Sequence, residues 1–265
     1  MCYAYTVTTN VEALRRLRFT FEVGANIGNM PPLTGVYPGM VAPIIRNQPG
    51  FRELVNVWWG MPTSSQALYQ AAKKRANRLI EKEGRSISPD EFAEMVANEP
   101  DKGTHNVRNT DSKHWQRWLA PEFRCIVPFN SFAEFSNLVG TDGKKLGHTW
   151  FAFDPERPLA FFAGIWAPQW TSVRRIGQNA LTSDLFAFLT TDPNDVVAVA
   201  NPDAMPVILR TPEEIETWMT APWEEARKLQ RPLPPGVLQV VSIGPKEDPP
   251  PPEAELPGVR EPTLF

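Results

Sequence analysis

The chain has 265 residues, a formal net charge of −3 and 42% hydrophobic residues. This length suits one large domain or two small ones, and the composition is that of a folded protein with a sizeable core. It excludes a basic field over the whole protein, so any nucleic-acid site is expected to be a local patch. The longest apolar stretch, residues 159–167, is far shorter than the roughly 20 residues that a membrane span requires, so we expect no membrane association.

The cysteines and histidines exclude several kinds of site. Cys2 and Cys125 are too few for a disulfide framework, and the first residues lack the basic and apolar regions of a signal peptide. A reducing cytoplasm is therefore the simplest compartment. His105, His114 and His148 are not spaced as metal ligands, and no glycine-rich nucleotide-binding motif is present. We expect neither a metal nor another cofactor.

The first half of the chain predicts a strand at 2–8, a helix at 11–19, an ordered loop at 26–38, strands at 41–46 and 54–59, and a helix at 64–83. A second helix begins with a capping box, in which Ser88 caps, Pro89 takes the first helical position and Glu91 completes the motif. No linker-like composition lies on either side of these two helices. We interpret residues 64–98 as a helical insertion within one domain.

The second half predicts a short helix at 112–119 and strands at 124–129, 131–135, 149–153, 159–165, 185–190, 205–209 and 237–242. Thr211 and Glu214 form another capping box for a helix that ends at Thr220, and a further helix follows Pro222. Strands and helices do not alternate regularly, which favours an α+β domain over a doubly wound fold. We assign the domain to residues 2–244, and the Pro- and Glu-rich residues 245–265 to an extended or disordered tail.

Cys2 is the first candidate for chemistry because of its position. Removal of Met1 would leave Cys2 with a free α-amine beside its thiol, and such groups have ordinary pKa values of about 8 and about 8.5. A 1,2-aminothiol condenses with an aldehyde: the amine forms an imine, and the thiol then closes a five-membered thiazolidine ring. A cysteine inside the chain cannot do this. The alternative is a cysteine that packs at the end of the first strand.

Three other segments carry polar side chains that suit a site. Asn106 and Arg108 face the same way on an extended backbone, so one could orient a reacting group while the other holds a phosphate; the alternative is a surface turn. Glu134 lies among aromatic and small residues, where desolvation would raise its pKa and suit it to proton transfer, unless it faces solvent. Asn201 could hydrogen-bond a substrate, although an amide cannot act as an acid or base. The alternative is that Asn201 belongs to a turn before a strand.

Two adjacent indoles, Trp58 and Trp59, precede the turn Gly60-Met61-Pro62. Exposed indoles would be stacking platforms for nucleobases, whereas buried ones would belong to the core. We expect at least one of them to be core.

Together these segments resemble the SOS-response-associated peptidase family, also called abasic-site processing proteins, over residues 2–241. The shared features are Met-Cys at the start, Trp-Gly-x-x-Pro at 59–62, Asn-x-Arg at 106–108, Cys-φ-x-Pro at 125–128 leading to Glu134, and Thr-Thr at 190–191 followed by Met-Pro-Val-Ile-Leu at 205–209. No single motif is specific, but five in the same order make chance a poor explanation.

The resemblance implies an α+β domain with a mainly antiparallel, curved or barrel-like sheet and peripheral helices. It also implies that Cys2, after loss of Met1, links covalently to the ring-opened aldehyde of an abasic site in single-stranded DNA. Asn106 would position the linkage, Glu134 would assist proton transfers, and Arg108 would hold phosphate. The same machinery is associated with self-cleavage as a peptidase and with strand cleavage as a lyase.

By the same resemblance, we expect Pro38, Thr190 and Met205 to contact the DNA together with the two indoles. The partner is then single-stranded DNA with abasic sites. We further expect a cytoplasmic monomer that joins the nucleoid after DNA damage.

The sequence departs from the family pattern at two places. The family carries histidine four residues before the Met-Pro-Val-Ile-Leu motif, or three in a shorter loop, whereas this chain has Asn201 and Pro202. Because asparagine does not titrate near neutral pH, the change affects proton transfer to the opened sugar and crosslink reversal more than crosslink formation. Trp58 stands where relatives often carry arginine, which exchanges a phosphate contact for a stacking surface. His105 adjoins Asn106, but on an extended strand its side chain points the other way.

Three functions therefore compete. The first is an enzyme that captures abasic single-stranded DNA through Cys2. The second is a peptide-cleaving hydrolase with an N-terminal nucleophile. The third, suggested by the missing histidine, is a non-catalytic module that binds single strands reversibly. The first requires Cys2, Asn106, Glu134 and Asn201 to converge on one cleft.

Overall fold

The computed structural model describes residues 2–15, 20–135, 139–141 and 143–248. Their strands are β1 (Ala4–Val7), β2 (Glu22–Val23), β3 (Leu33–Val36), β4 (Val41–Gln48), β5 (Phe51–Trp59), β6 (Asn106–Val107), β7 (Arg124–Phe129), β8 (Phe132–Phe135), β9 (His148–Ala152), β10 (Ala160–Ser172), β11 (Leu181–Thr191), β12 (Met205–Pro206), β13 (Ile208–Leu209) and β14 (Gln239–Gly244). Their α-helices are α1 (Val11–Arg15), α2 (Ser65–Glu83), α3 (Pro89–Ala97), α4 (Lys113–Gln116), α5 (Asp195–Ala198), α6 (Pro212–Thr220) and α7 (Trp223–Ala226). Short 3-10 helices lie at Pro121–Phe123 and Arg227–Leu229.

Five strands close into a barrel in the order β5–β4–β7–β10–β11, with β11 returning to β5. Four of these pairings are antiparallel, and the closing one is parallel, with Leu185 opposite Trp58 and Phe186 opposite Trp59. The strands are rich in β-branched and aromatic residues, which pack well on a pleated surface. Trp59, for example, stacks against Phe188 with ring centroids 5.1 Å apart. Closure of the barrel pairs strand edges that would otherwise be open.

A second sheet, antiparallel throughout, has the order β14–β9–β8–β1–β3. The chain passes from the barrel strand β7 into β8 through Asn130 and Ser131. The Asn130 side chain accepts hydrogen bonds from the backbone N–H groups of Thr8 and Thr9 at 2.8 and 3.1 Å. This contact fixes β1 beside β8 and so sets the position of the residues before β1. The architecture is the α+β, mainly antiparallel and barrel-like fold expected from the sequence.

The insertion forms two helices, as predicted. Ser64 caps α2 with its hydroxyl, and Gly84 ends the helix in the left-handed conformation at φ +65°. The Ser88 hydroxyl accepts a hydrogen bond from the Glu91 N–H at 3.2 Å. The Glu91 carboxylate binds the Arg85 guanidinium at 2.7 Å. The Ser88 half of the predicted capping box is therefore present, whereas the Glu91 side chain forms an ion pair with Arg85 and not a hydrogen bond to the Ser88 backbone N–H.

Several predicted elements differ in extent from the observed ones. The predicted loop at 26–38 contains β3, an edge strand beside β1, which its Pro- and Gly-rich surroundings conceal. β10 and β11 extend beyond their predicted limits as a hairpin whose polar outer part gives no apolar signal. The predicted strand at 205–209 is divided, because Val207 crosses from β11 to β10: its N–H donates to Leu189 at 2.9 Å, and its carbonyl accepts from Ala163 at 3.0 Å.

The structure also bears on the limits of the first predicted helix and of the predicted tail. The helix predicted at 11–19 is α1 in its first part, and residues 16–19 lie outside the described residues. The predicted tail starts later than residue 245, because the buried Asp248 carboxylate accepts hydrogen bonds from Arg157 at 2.7 Å and Ser131 at 2.6 Å. Residues 249–265 lie outside the described residues. Within the described ranges, no helix has the length and apolar character needed to cross a membrane.

Candidate active site

A cleft of about 480 Å³ lies where the residues before β1 meet the end of β8 and the segment that leads into β6. All four residues that the sequence predicts as catalytic line it: Cys2, Asn106, Glu134 and Asn201. They are far apart in the chain, so only the fold brings them together. The geometric requirement of the first functional hypothesis is therefore met.

Cys2 lies at the bottom of this cleft and is only 1% exposed. Its thiol donates to the carbonyl oxygen of Ala4 at 3.4 Å and, more weakly, points to that of Ala133 at 3.8 Å. Burial raises the pKa of the Cys2 thiol well above its ordinary value, and the nearby Glu134 carboxylate raises it further. The thiol is therefore protonated at neutral pH.

Asn106 contacts Cys2 directly. Its strand β6 pairs in parallel with β11, which places Asn106 opposite Phe188. The Asn106 Nδ2 atom donates to the Cys2 carbonyl oxygen at 3.1 Å. Its Oδ1 atom is buried and has no hydrogen-bond partner among the described residues. Since buried acceptors are normally paired, this oxygen is available to a ligand in the cleft.

A close backbone approach holds the segment before Asn106 in place. Met61 and Thr104 exchange two backbone hydrogen bonds of 2.9 and 2.7 Å. Gly103 adopts φ +81°, and a Cβ atom there would lie 2.7 Å from the Cα atom of Gly60. Only glycine fits such a position, both for its dihedral angle and for its contact distance.

Glu134 supplies the carboxyl group of the cleft. It is 1% exposed, and burial raises its pKa to about 7, although a hydrogen bond from Asn201 counteracts part of the rise. The carboxyl group therefore exchanges protons readily at neutral pH. The Asn201 amide is held in turn, because Oδ1 accepts from the Asp203 N–H and Nδ2 donates to the Ala204 carbonyl, both at 3.1 Å.

His105 lines the same cleft as Asn106, contrary to the expectation that its side chain points away from the site. The imidazole packs edge-on against Trp59 with centroids 5.7 Å apart. Burial lowers the pKa of His105, and the nearby Arg174 lowers it further, so the ring is neutral at pH 7. In the described part of the chain, no group of three or more His, Cys, Asp or Glu side chains is arranged to hold a metal ion.

Two predicted DNA contacts are accessible at the surface near the site. Pro38 is exposed and lines the cleft. Arg108 is 44% exposed, but its guanidinium pairs with Asp192 and donates to the Asp203 carbonyl oxygen at 3.3 Å. Arg108 lies outside the lining of the cleft. Phosphate would therefore have to compete with the Asp192 carboxylate for this side chain.

Other predicted contacts are less accessible. Trp58 is half-buried, and the Arg174 guanidinium lies 5.7 Å from its ring centroid. Trp59, Thr190 and Met205 are at most 1% exposed, because β5, β11 and β12 form part of the paired sheet. These three residues lie outside the lining of the cleft and have almost no surface that DNA could contact. They correct the expectation of direct contact, while Trp59 is the core indole that the sequence predicts.

Tyr3 and Phe135 line the same cleft, and the sequence interpretation did not identify either of them. They are 45% and 46% exposed, which is unusual for large aromatic side chains beside a buried site. The only available signal is that Tyr3 follows Cys2 and Phe135 follows Glu134.

Comparisons with known proteins agree with this fold. The crystal structure of a protein from Bacteroides thetaiotaomicron superposes with a TM-score of 0.59 at 18% identity, covering 90% of each chain. That of a phage-related protein from Bordetella bronchiseptica gives a TM-score of 0.54 at 18% identity, covering 90% of this chain and 92% of the other. At such identity the likeness shows the fold alone, and the comparison with curated proteins gives no match. Residues 1–246 match the family described as SOS response associated peptidase (SRAP). Because this match spans nearly the whole chain, the protein belongs to the SOS response associated peptidase family.

Proposed function

We propose that this protein captures abasic sites in single-stranded DNA by forming a thiazolidine through Cys2 after loss of Met1. The observation that carries the proposal is the convergence of Cys2, Asn106, Glu134 and Asn201 on one cleft, with the Asn106 amide on the Cys2 carbonyl at 3.1 Å. Family membership supports the same chemistry. The open form of an abasic sugar offers the aldehyde that an aminothiol requires.

The reaction proceeds by condensation, without oxidation or reduction. The Cys2 α-amine attacks the aldehyde carbon, and loss of one water molecule gives an imine. The thiol sulfur then attacks the imine carbon, while its proton passes to the nitrogen and the thiazolidine ring closes. Burial keeps the Cys2 thiol protonated, so the amine reacts first. Glu134, whose pKa is raised by burial, carries the protons between these atoms.

The unpaired Oδ1 atom of Asn106 has a role in this sequence. It lies beside Cys2 and accepts a hydrogen bond from the attacking amine or from the hydroxyl of the first adduct. The Nδ2 atom meanwhile holds the Cys2 carbonyl. Asn106 thus fixes the aminothiol in one orientation, which is an entropic contribution to the rate.

The peptidase activity named in the family description corresponds here to hydrolysis of the Met1–Cys2 peptide bond. Glu134 and Asn106 lie beside Cys2 and are the groups that would assist it. Intact-mass measurement tests this step: the purified protein should lack Met1, and Glu134→Gln should retain it. Equal loss of Met1 in both proteins would assign the cleavage to another enzyme. Strand cleavage as a lyase would be slow, because Asn201 provides no imidazole.

Denaturing gel electrophoresis with an abasic single-stranded oligonucleotide tests the main proposal. The protein should form an adduct that survives denaturation, and Cys2→Ala should form none. Cys125→Ser is the matched control, because Cys125 is equally buried but lies inside the chain without a free amine. An adduct with Cys2→Ala would refute the proposal.

Two outcomes would favour the other functions. Reversible, salt-sensitive binding without an adduct would indicate a non-catalytic module. Peptide turnover that depends on Cys2 but not on DNA would indicate a peptide hydrolase with an N-terminal nucleophile.

A further inference from the structure

Four aromatic side chains form a cluster at the rim of the cleft: Tyr3, Tyr37, Phe135 and His148. The Tyr3 ring lies at its centre, with centroid distances of 5.2 Å to His148, 5.9 Å to Tyr37 and 6.2 Å to Phe135. Tyr3 and Phe135 are nearly half exposed although the core is close by. Both residues line the cleft, so the exposed part of each side chain is accessible beside it.

Two lysines lie beside this cluster, although the chain as a whole is acidic. The Lys145 ammonium group lies 5.6 Å from the centroid of Phe135. Burial lowers the pKa of His148, and the nearby Lys246 ammonium group lowers it further. The nearby Glu247 carboxylate is engaged by a hydrogen bond from the Thr34 hydroxyl at 2.6 Å. Exposed rings beside ammonium groups are the combination that binds single-stranded nucleic acid, through stacked bases and neutralised phosphates.

We propose that this aromatic cluster stacks the nucleobase next to the abasic site and that Lys145 contacts the adjoining phosphate. The inference rests on the proposed function. Tyr3 follows Cys2 directly, so the nucleotide joined to a sugar captured at Cys2 leaves the cleft past the Tyr3 and Phe135 rings. Stacking on a ring face accepts any base, and the Tyr37 hydroxyl is already engaged with the Lys246 carbonyl. The cluster therefore binds any of the four bases and prefers purines, which have the larger ring face.

Fluorescence of 2-aminopurine tests this stacking directly. The probe is a single strand with a tetrahydrofuran abasic analogue, which has no aldehyde and cannot form the Cys2 adduct, and with 2-aminopurine on its 5′ or its 3′ side. The full-length protein should quench the fluorescence on one side. Tyr3→Ser should abolish this quenching and weaken binding about tenfold, within the range measured for single stacked bases.

Tyr69→Ser is the matched control, because Tyr69 is 44% exposed on α2 and packs edge-on against Phe92, away from the cleft lining. It should behave like the parent protein. Phe135→Ser provides a second variant should Tyr3→Ser not fold. The inference is overturned if the parent protein quenches neither probe, or if the Tyr3 and Tyr69 variants quench equally.

This experiment is independent of the capture chemistry. Quenching on the analogue without any adduct on a true abasic site would overturn the thiazolidine proposal and retain the stacking site. An adduct on the abasic site without quenching on the analogue would overturn the stacking site alone.

Discussion

Replacing Glu134 by glutamine should remove a pH dependence of stability that the buried carboxyl group causes. Burial raises the pKa of Glu134 from its ordinary value of 4.5 to about 7. Below pH 4.5 the group is neutral in both the folded and the unfolded protein. As the pH rises towards 7, the unfolded chain loses this proton first, and the folded protein binds more protons than the unfolded one. The free energy of unfolding therefore falls over this interval.

The size of this effect follows from the two pKa values. Each pKa unit corresponds to about 1.36 kcal/mol, so the difference between 4.5 and about 7 gives about 3 kcal/mol. Solvent screening reduces it little, because Glu134 is 1% exposed. Glutamine has nearly the same shape and stays neutral throughout. The Glu134→Gln protein should thus gain about 3 kcal/mol relative to the parent between pH 4.5 and pH 8.

Urea unfolding of both proteins across this pH range measures the difference directly. Glu81→Gln serves as the control, because it makes the same substitution at an exposed glutamate on α2, where no buried carboxyl group is removed. A Glu134→Gln difference that stays constant with pH would refute the argument from burial. A difference with the opposite sign would mean that the carboxylate is stabilised in the folded protein.

Three further predictions concern DNA binding and capture. Asp192→Asn releases Arg108 and should tighten single-strand binding up to about fivefold, whereas Arg108→Gln should weaken it. Fluorescence anisotropy measures both affinities, and an Arg108→Gln protein that binds as tightly as Asp192→Asn would exclude a phosphate contact at Arg108. Lys145→Gln should reduce the slope of log affinity against log salt by about 0.7, the value for one phosphate on a single strand, and an unchanged slope would place Lys145 outside the interface. Asn106→Ala should slow adduct formation at Cys2 about tenfold in a timed gel assay, since it removes the hydrogen bond to the Cys2 carbonyl; an unchanged rate would contradict the positioning role.

The residues proposed to carry chemistry could be selected from the sequence because reactivity limits the choice of side chain. An aminothiol requires a cysteine at position 2, proton transfer requires a group such as Glu134, and the amide of Asn106 suits a positioning role. Their order along the chain matched a family pattern, and the fold places them in one cleft. The strand β7 has its predicted limits, and the apolar parts of β4 and β5 are also predicted, because apolar runs between turn residues are visible locally; the polar ends at 47–48 and 51–53 give no such signal.

Exposure could not be predicted in the same way, because it depends on pairings between distant strands. Trp58 and Trp59 are chemically identical neighbours that both pair with β11, and the alternation of side chains along β5 places Trp59 in the core, where it stacks against Phe188. Thr190 and Met205 carry family motifs, yet β11 and β12 bury them. Tyr3 was missed for the opposite reason, since nothing in the strand pattern indicates that its ring lies at the rim of the cleft.

In the proposed reaction, proton transfer is assigned to Glu134, because Asn201 and His105 are less suited to it. Asn201 does not titrate, and both atoms of its amide are bonded to the backbone of the loop that follows. The His105 ring packs against Trp59, and burial with the nearby Arg174 lowers its pKa. Among the described residues that line the cleft, Glu134 is thus the group that exchanges a proton near pH 7. Apart from the titration of the Cys2 α-amine, adduct formation should therefore show a pH transition near 7 that Glu134→Gln abolishes. A further transition at lower pH that survives in this variant would assign a proton-transfer role to His105.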